Sequence, residues 1–331
     1  MTADLIAFKP GVPTPEQSSA RLRCYRPCEY LRSAGMKCEI FDPRRMDRYR
    51  VVVFQKAYSP NDLEIADHLR GLGVRTVFDL CDNHIYVPPE RPEFRERSDR
   101  LRRMIDRVDA VSVATPELTK IIDRPSVVID DALDDAPADW WSTMRAIGRR
   151  WHRRRPLSLI WFGNAGETSP PFGIIDLARL VPVLNAVHAQ IPLSLTVVSN
   201  ARVAFERHFA AAQFPTCYHE WETARFFRLF RRHDLCLIPV NLNPYTVCKT
   251  VNRLALSLLL GVPAIADWIP SYEELRAHAL FGDWERNLKS HATEPNLGLG
   301  MVRTGRAYLR AKYTPQRVTQ QWSELLRPLA A

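Results

Sequence analysis

The sequence has no apolar run long enough to cross a membrane. Its longest, LALSLLLGVPAIA over 254–266, falls short of the ~20 residues a spanning helix needs and is broken by Gly261 and Pro263, so any membrane contact would be peripheral. The first residues, MTADLIAFKP, lack the basic region, apolar stretch and small-residue cleavage site of a signal peptide. No CxxC pair occurs. The seven cysteines (Cys24, Cys28, Cys38, Cys81, Cys217, Cys236, Cys248) are odd in number, scattered, and set mostly in apolar runs such as LCLIPV. They read as buried, reduced thiols of a cytosolic protein, with Cys24 and Cys28 packed on a helix and not holding zinc. GxxxxGK[ST], GxSxG and HExxH are all absent, which removes the common NTPase, hydrolase and metalloprotease readings. GLG at 71–73 precedes a strand and reads as a helix stop. In DLCD at 79–82, Leu80 and Cys81 break the carboxylate spacing that a metal or phosphatase site uses.

What is present is an ordinary globular mixture, 46% hydrophobic and 25% charged, which excludes wholesale disorder. At 331 residues roughly two domains are expected. Lys+Arg 46 against Asp+Glu 37 leaves +9. That balance favours anionic partners, among them nucleotide phosphates, acidic membrane surfaces and nucleic acid, without choosing one.

Short apolar runs alternate with amphipathic segments along the whole chain. Strands are predicted at 5–10, 37–42, 51–57, 74–80, 110–115 and 126–133, with helices at 21–34, 61–72 and 101–108. Gly35 and Gly73 sit where C-terminal caps belong. The pattern restarts after 156, with strands at 157–163, 193–200, 216–221, 234–240 and 263–267 and helices at 174–189, 202–212, 223–232 and 249–260. Two α/β units in tandem, each with a parallel sheet, are therefore expected: domains at 1–140 and 157–315, joined by a basic linker at 141–156 and followed by a terminal helix at 316–331. The seam holds five aspartates between Asp130 and Asp139, then Trp140 and Trp141, then RRWHRRR at 149–155. It reads as a solvated linker helix, or as a phosphate or membrane contact, or as two runs pairing with one another. Val318, Trp322, Leu325 and Leu329 give the last segment an apolar stripe that must dock somewhere.

Open parallel sheets bind ligands beyond the carboxyl ends of their strands. In the first half this selects Lys9, Gly11, Lys56, Tyr58, Asp79, Asp82, Asn83, His84 and Thr115. In the second it selects Gly163, Asn164, Asn200, Glu220, Glu222, Asn241 and Asn243. Lys249 and Thr250 are placed at the start of the helix predicted at 249–260, where free N–H groups and the dipole favour a phosphate. The bland alternative is a solvated first-turn lysine, with Asn252 as a local cap.

The stretch WETARFFRLFRRHDLCLIPV, the KTVNR run, GVPAIAD and PSYEEL together resemble the bacterial nucleotide-sugar-dependent glycosyltransferases of GT-B fold. SSARLRCYRPCEYLRSAG and VVFDLCDN resemble the first helix and an acidic strand end of those enzymes. The resemblance touches most of the chain, although only 219–275 is specific. It implies two Rossmann-like domains facing across a cleft, a nucleotide-sugar donor held mainly by the second, and a glycan, lipid-linked or other acceptor held mainly by the first. It also implies no metal and no cofactor beyond the donor substrate, a cytoplasmic setting and a role in polysaccharide biosynthesis. By the same resemblance Lys249, Thr250 and Asn252 lie near the phosphates, Gly163 and Asn164 in the first donor-domain loop, and Glu220, Trp221 and Glu222 where the nucleobase is contacted. If the reaction inverts configuration, Asp82 or Asp79, then His84, are the candidate bases. The sequence departs from the pattern at Leu256 and Cys248, where many retaining members have glutamate, and in GNAGETSPPFG, which lacks the usual Arg/Lys pair. A second reading is a noncatalytic glycan-binding or assembly subunit of the same fold. A third, nucleic-acid binding through the arginines at 149–155, has no recognised module behind it.

Overall fold

The computed structural model describes residues 5–134 and 155–331 and divides into two compact units. Unit one comprises residues up to 134, a short insertion at 247–250, and 311–331. Unit two comprises the rest.

Unit one is a six-stranded, wholly parallel sheet in the order β2-β1-β3-β4-β5-β6. Its strands are β1 (Leu5–Pro10), β2 (Cys38–Ile40), β3 (Tyr49–Gln55), β4 (Arg75–Leu80), β5 (Ala110–Val113) and β6 (Val127–Val128). Runs such as Val51 to Phe54 are apolar on both faces because both faces are covered. One face, with Val52, Phe54 and Phe78, packs under helices α2 (Pro60–Gly71) and α3 (Phe94–Arg107). On the other, Ile6, Phe8, Val51, Val53 and Val77 pack under the first helix, α1, and the last. α1 runs through Ser18–Ala20, a π turn at Arg21–Tyr25, and Arg26–Ser33. A four-residue turn, α4 (Pro116–Thr119), follows β5.

The described aspartates of the acidic seam are ion-pair partners within this unit and do not form a solvated helix. Asp131 and Asp79 clamp the buried Arg23, Asp134 takes Arg21 and Arg26, and Asp130 takes Arg317. Pairing with arginines of α1 and the last helix replaces solvent. The expectations for Asp135, Asp139, Trp140, Trp141 and residues 149–154 lie outside the described residues.

Unit two is a second parallel sheet, in the order β11-β10-β7-β12-β13-β14, with a separate two-stranded hairpin. Its strands are β7 (Leu157–Phe162), the hairpin β8 (Gly166–Thr168) and β9 (Pro171–Gly173), β10 (Leu193–Ser199), β11 (Thr216–Glu220), β12 (Leu235–Ile238), β13 (Ala264–Ala266) and β14 (Leu280–Phe281). The helix expected over 174–189 is two, α5 (Ile174–Ala178) and α6 (Val181–His188). Pro182 explains the break, because proline is tolerated in a first turn and not in a helix interior. Helices α7 (Arg202–Phe209), α8 (Thr223–Phe230), α9 (Asn252–Leu259), α10 (Trp284–Thr293) and α11 (Pro295–Lys312) complete it. In α8, Phe226 and Phe230 are buried, whereas Phe227 is half-exposed.

The terminal helix α12 (Pro315–Ala330) begins at a Thr314 cap followed by proline and belongs to unit one. Val318, Trp322 and Leu326 are buried against the sheet. Trp322 meets Phe8 edge-on, ring centroids 5.1 Å apart. Leu325 and Leu329, read as part of the stripe, lie at its half-buried margin. Six cysteines are buried as expected. Cys217 is exposed, because β11 is an edge strand.

Candidate functional site

In unit one the chain leaves β1 for β2 on one side and then crosses to β3 on the other, so the carboxyl ends of β1 and β3 form the crevice that parallel sheets use for ligands. Gly11 closes it from one side. Its N–H donates to the Gln55 carbonyl at 2.8 Å, and a Cβ there would sit 2.5 Å from the Lys56 carbonyl oxygen. Lys56 turns the chain with φ at 50°, a left-handed conformation that a non-glycine residue holds only at a cost and that clusters at functional sites.

Around this crevice the charged side chains interlock. Lys9 pairs with Asp62, which also completes the capping box of α2 with Ser59. Lys56 and Lys249 each place Nζ 2.5 Å from an oxygen of Asp82. Burial alone would raise the Asp82 pKa, but Lys249 and Lys56 outweigh it and hold the carboxyl well below the usual carboxylate range. His84 Nδ1 lies 2.6 Å from the Tyr58 hydroxyl, and burial followed by the Lys56 ammonium pushes the imidazole down to about 3, so it is neutral at pH 7. Asp82 and His84 are thus present as carboxylate and neutral imidazole, both weak proton acceptors.

Lys249 and Thr250 were expected to open a helix of the second half, but α9 starts at Asn252 and Lys249 belongs to unit one. Cys248 is the cause. It is buried in the core of unit one, its carbonyl accepts from Thr115 Oγ1 at 3.2 Å, and Asn83 approaches its thiol. This anchoring draws Lys249 to Asp82 and leaves Thr250 half-buried in the approach to α9. Asp79 is withdrawn from the crevice: fully buried, it accepts from Arg23 at 2.5 and 3.1 Å and from Ser112 at 2.8 Å, with no face toward an acceptor.

In unit two the corresponding crevice lies between β7 and β12. Gly163 follows β7 over the Trp161 ring, where a Cβ would come within 2.8 Å of the indole. Asn164 is exposed beside it, and Asn200 accepts from the Ala165 N–H at 3.0 Å. Arg253, in the first turn of α9, donates from Nη2 to the Phe162 carbonyl at 2.7 Å and stacks 5.3 Å from the Trp161 and Phe162 rings. Its Nε, the Trp161 indole N–H and the Ser199 hydroxyl are buried without hydrogen-bond partners at the ends of β7 and β10. The loop after β12 is fastened by Asp176 of α5 and by its own Asn243: Asp176 accepts from the Asn241 backbone and side chain and from the Gly173 N–H, and Asn243 accepts from the N–H groups of Tyr245 and Thr246. Burial raises the Asp176 pKa against these donors.

Trp221 reaches this crevice from the end of β11, its ring 6.4 Å from Phe162 and 4.4 Å from Phe226. Its neighbours do not. Glu220 stands exposed on the edge strand, and exposed Glu222 pairs with Arg225. Asn252 is placed in the first turn of α9 beside Arg253. The structure thus gathers Asp82, His84 and Lys249 in one unit, and Gly163, Asn164, Trp221 and Asn252 in the other. Asp62 and Arg253 were missed. Asp62 sits inside a helix and not at a strand end, although its S-P-N-D capping signature is legible. Arg253 closes the KTVNR run itself.

No protein-family model matches the chain, and no curated protein matches it in sequence. Solved structures do match. TarM of S. aureus, in a structure holding fondaparinux, alpha-GlcNAc-glycerol and UDP, gives a TM-score of 0.63 at 8% identity, covering 85% of this chain and 55% of that one. An alpha,alpha-trehalose-phosphate synthase (UDP-forming) from Burkholderia vietnamiensis gives 0.62 at 11% identity over 99% of both chains. An apo structure of OtsA gives 0.63 at 9% identity, again over 99% of both. The chain spans 55% of the length of TarM. These likenesses show the fold: two Rossmann-like domains, as in the GT-B glycosyltransferases.

Proposed function

We propose that this protein is a glycosyltransferase that moves a sugar from a nucleoside diphosphate donor, bound by unit two, to an acceptor hydroxyl bound by unit one. In that reaction the bond from the anomeric carbon to the diphosphate oxygen breaks and the electron pair leaves with the diphosphate. The acceptor oxygen forms the new bond and passes its proton to the departing diphosphate oxygen. The observation that carries the reading is the group of buried, unpartnered polar atoms at the ends of β7 and β10, namely Arg253 Nε, Trp161 Nε1 and Ser199 Oγ. Each costs about 1–3 kcal/mol when left unsatisfied, and together they suit a ligand rich in acceptor oxygens. Arg253 presents the planar guanidinium that phosphates favour, and Gly163 lets the loop after β7 lie directly on the Trp161 ring beside it. The half-buried Trp221 ring offers a stacking face for the base. UDP in the TarM structure and the UDP-forming activity named for the Burkholderia protein support a uridine nucleotide.

On the acceptor side, Asp82 is kept ionised by Lys56 and Lys249 and serves to orient hydroxyl groups by accepting from them. The protein acts on a glycan, lipid-linked or other hydroxyl in polysaccharide assembly, requires no metal, and touches membrane at most peripherally. The test is turnover: incubation with UDP-, GDP-, CMP-, dTDP- and ADP-sugars, with release of free nucleotide measured by chromatography. One donor class is expected to be consumed, UDP-sugars first. Intact donors throughout, together with retained glycan binding, would instead identify a noncatalytic subunit.

A further inference from the structure

The charge at the unit-one crevice exceeds what a neutral sugar requires. Lys9, Lys56 and Lys249 converge on the carboxyl ends of β1, β3 and β4, and α3 adds Arg97, which acts electrostatically on both Tyr58 and His84. Against these four cations stand, among the described residues, the carboxylates of Asp62 and Asp82, with Glu117 acting on Cys248 beside Lys249 while paired to Lys120. His84 is neutral, and the neighbouring Arg100 is taken by Glu96. The Lys9 and Lys56 side chains are largely buried, at 16% and 18% exposure, so their charges are only partly relieved by water. Arg97 Nε is buried with no partner. The N-terminus of α2 opens at the same strand ends, where its dipole adds positive potential.

Resting on the assignment of the acceptor to unit one, we propose that the acceptor carries a phosphate group, held at this crevice by Lys9 and Lys56. Lysines approaching from separate strands act as point charges around a tetrahedral anion. Asp62 and Asp82 hold the ammonium groups in place when the crevice is empty and turn to the hydroxyl groups of the same acceptor when it is filled.

The experiment is calorimetric titration of the whole chain, with UDP saturating so that donor-phosphate contacts are already occupied. The titrants are hexose 1- and 6-phosphates, glycerol 3-phosphate, the matching neutral hexoses and glycerol, and a hexuronate, with inorganic phosphate as competitor. At least one phosphate ester is expected to bind at least tenfold more tightly than its neutral parent and to be displaced by inorganic phosphate. The charge-balanced double variant Lys9→Gln/Asp62→Asn, verified as folded by circular dichroism and cooperative melting, should weaken it at least tenfold. Lys9→Arg should stay within about threefold of the parent. Equal binding of neutral sugars, preference for the hexuronate, or an unchanged affinity in the double variant would overturn the phosphate subsite. Failure of the native chain to bind UDP in a separate titration would count against sugar transfer and leave the phosphate result to be judged by its own arms.

Discussion

At the scale of single residues, the crevice of unit one is governed by what two lysines do to their neighbours. His84 is neutral because burial and Lys56 lower its pKa from 6.5 to about 3. The unfolded chain therefore binds more protons than the folded one between those values, and stability must fall as pH drops from about 6.5 toward 3. Asp82 contributes in the same direction at lower pH, since its depressed carboxyl stabilises the fold above its ordinary value of 3.8 and loses that contribution on protonation. His84→Gln should flatten the decline between pH 6.5 and 4 in urea-unfolding free energies while leaving the region near pH 8 little changed. An acid limb as steep in the variant as in the parent would show that His84 is not held neutral. Asp79, three residues before Asp82, shows why sequence alone could not separate the two carboxylates. Both end the same apolar strand, and only the buried position of Arg23, on a helix more than fifty residues earlier, takes Asp79 out of the crevice.

At the scale of elements, the strands were the most legible part, because apolar runs bounded by turns have few alternatives in an α/β chain. Helix starts were less so. α3 begins at Phe94 and not near Leu101, and its first two turns, FRERSDR, carry no apolar stripe by which the sequence could reveal them. The hairpin β8–β9 and the two-residue β14 were too short to leave a pattern. The start of α9 was displaced by a tertiary effect, the burial of Cys248 in the other unit's core, which no local signal carries. The terminal helix was recognised as amphipathic, and its docking face belongs to the first sheet. Trp322 is wholly buried there between Phe8 and the Arg23 guanidinium, 5.6 Å from its ring. Trp322→Ala should therefore destabilise unit one by about 3–5 kcal/mol, read as a lowered urea midpoint. A change below about 1 kcal/mol would mean that α12 is not part of that core.

At the scale of the whole molecule, two parallel sheets of the same order of size each expose one crevice at their strand ends, and the two differ in chemistry. Unit one presents interlocked lysines and carboxylates suited to hydroxyl groups and an anion. Unit two presents a glycine-lined loop, an aromatic face and a half-satisfied arginine suited to a nucleoside diphosphate. Among the described residues no helix is long and apolar enough to cross a membrane. The site was half legible: the strand-end rule found Lys9, Lys56, Asp82 and Gly163, whereas the grouping of Arg253 with Trp161 and Ser199 depends on strand order that the sequence does not display.

The claim that unit two holds a nucleoside diphosphate through Arg253 is tested most directly by calorimetric titration of UDP into the native protein and into Arg253→Ala. The native chain should bind UDP saturably with one site, and the variant, still melting cooperatively, should bind at least tenfold more weakly. Equal affinity in both would remove Arg253 from the donor site. No binding of UDP or any other nucleoside diphosphate to the native chain would contradict sugar transfer altogether.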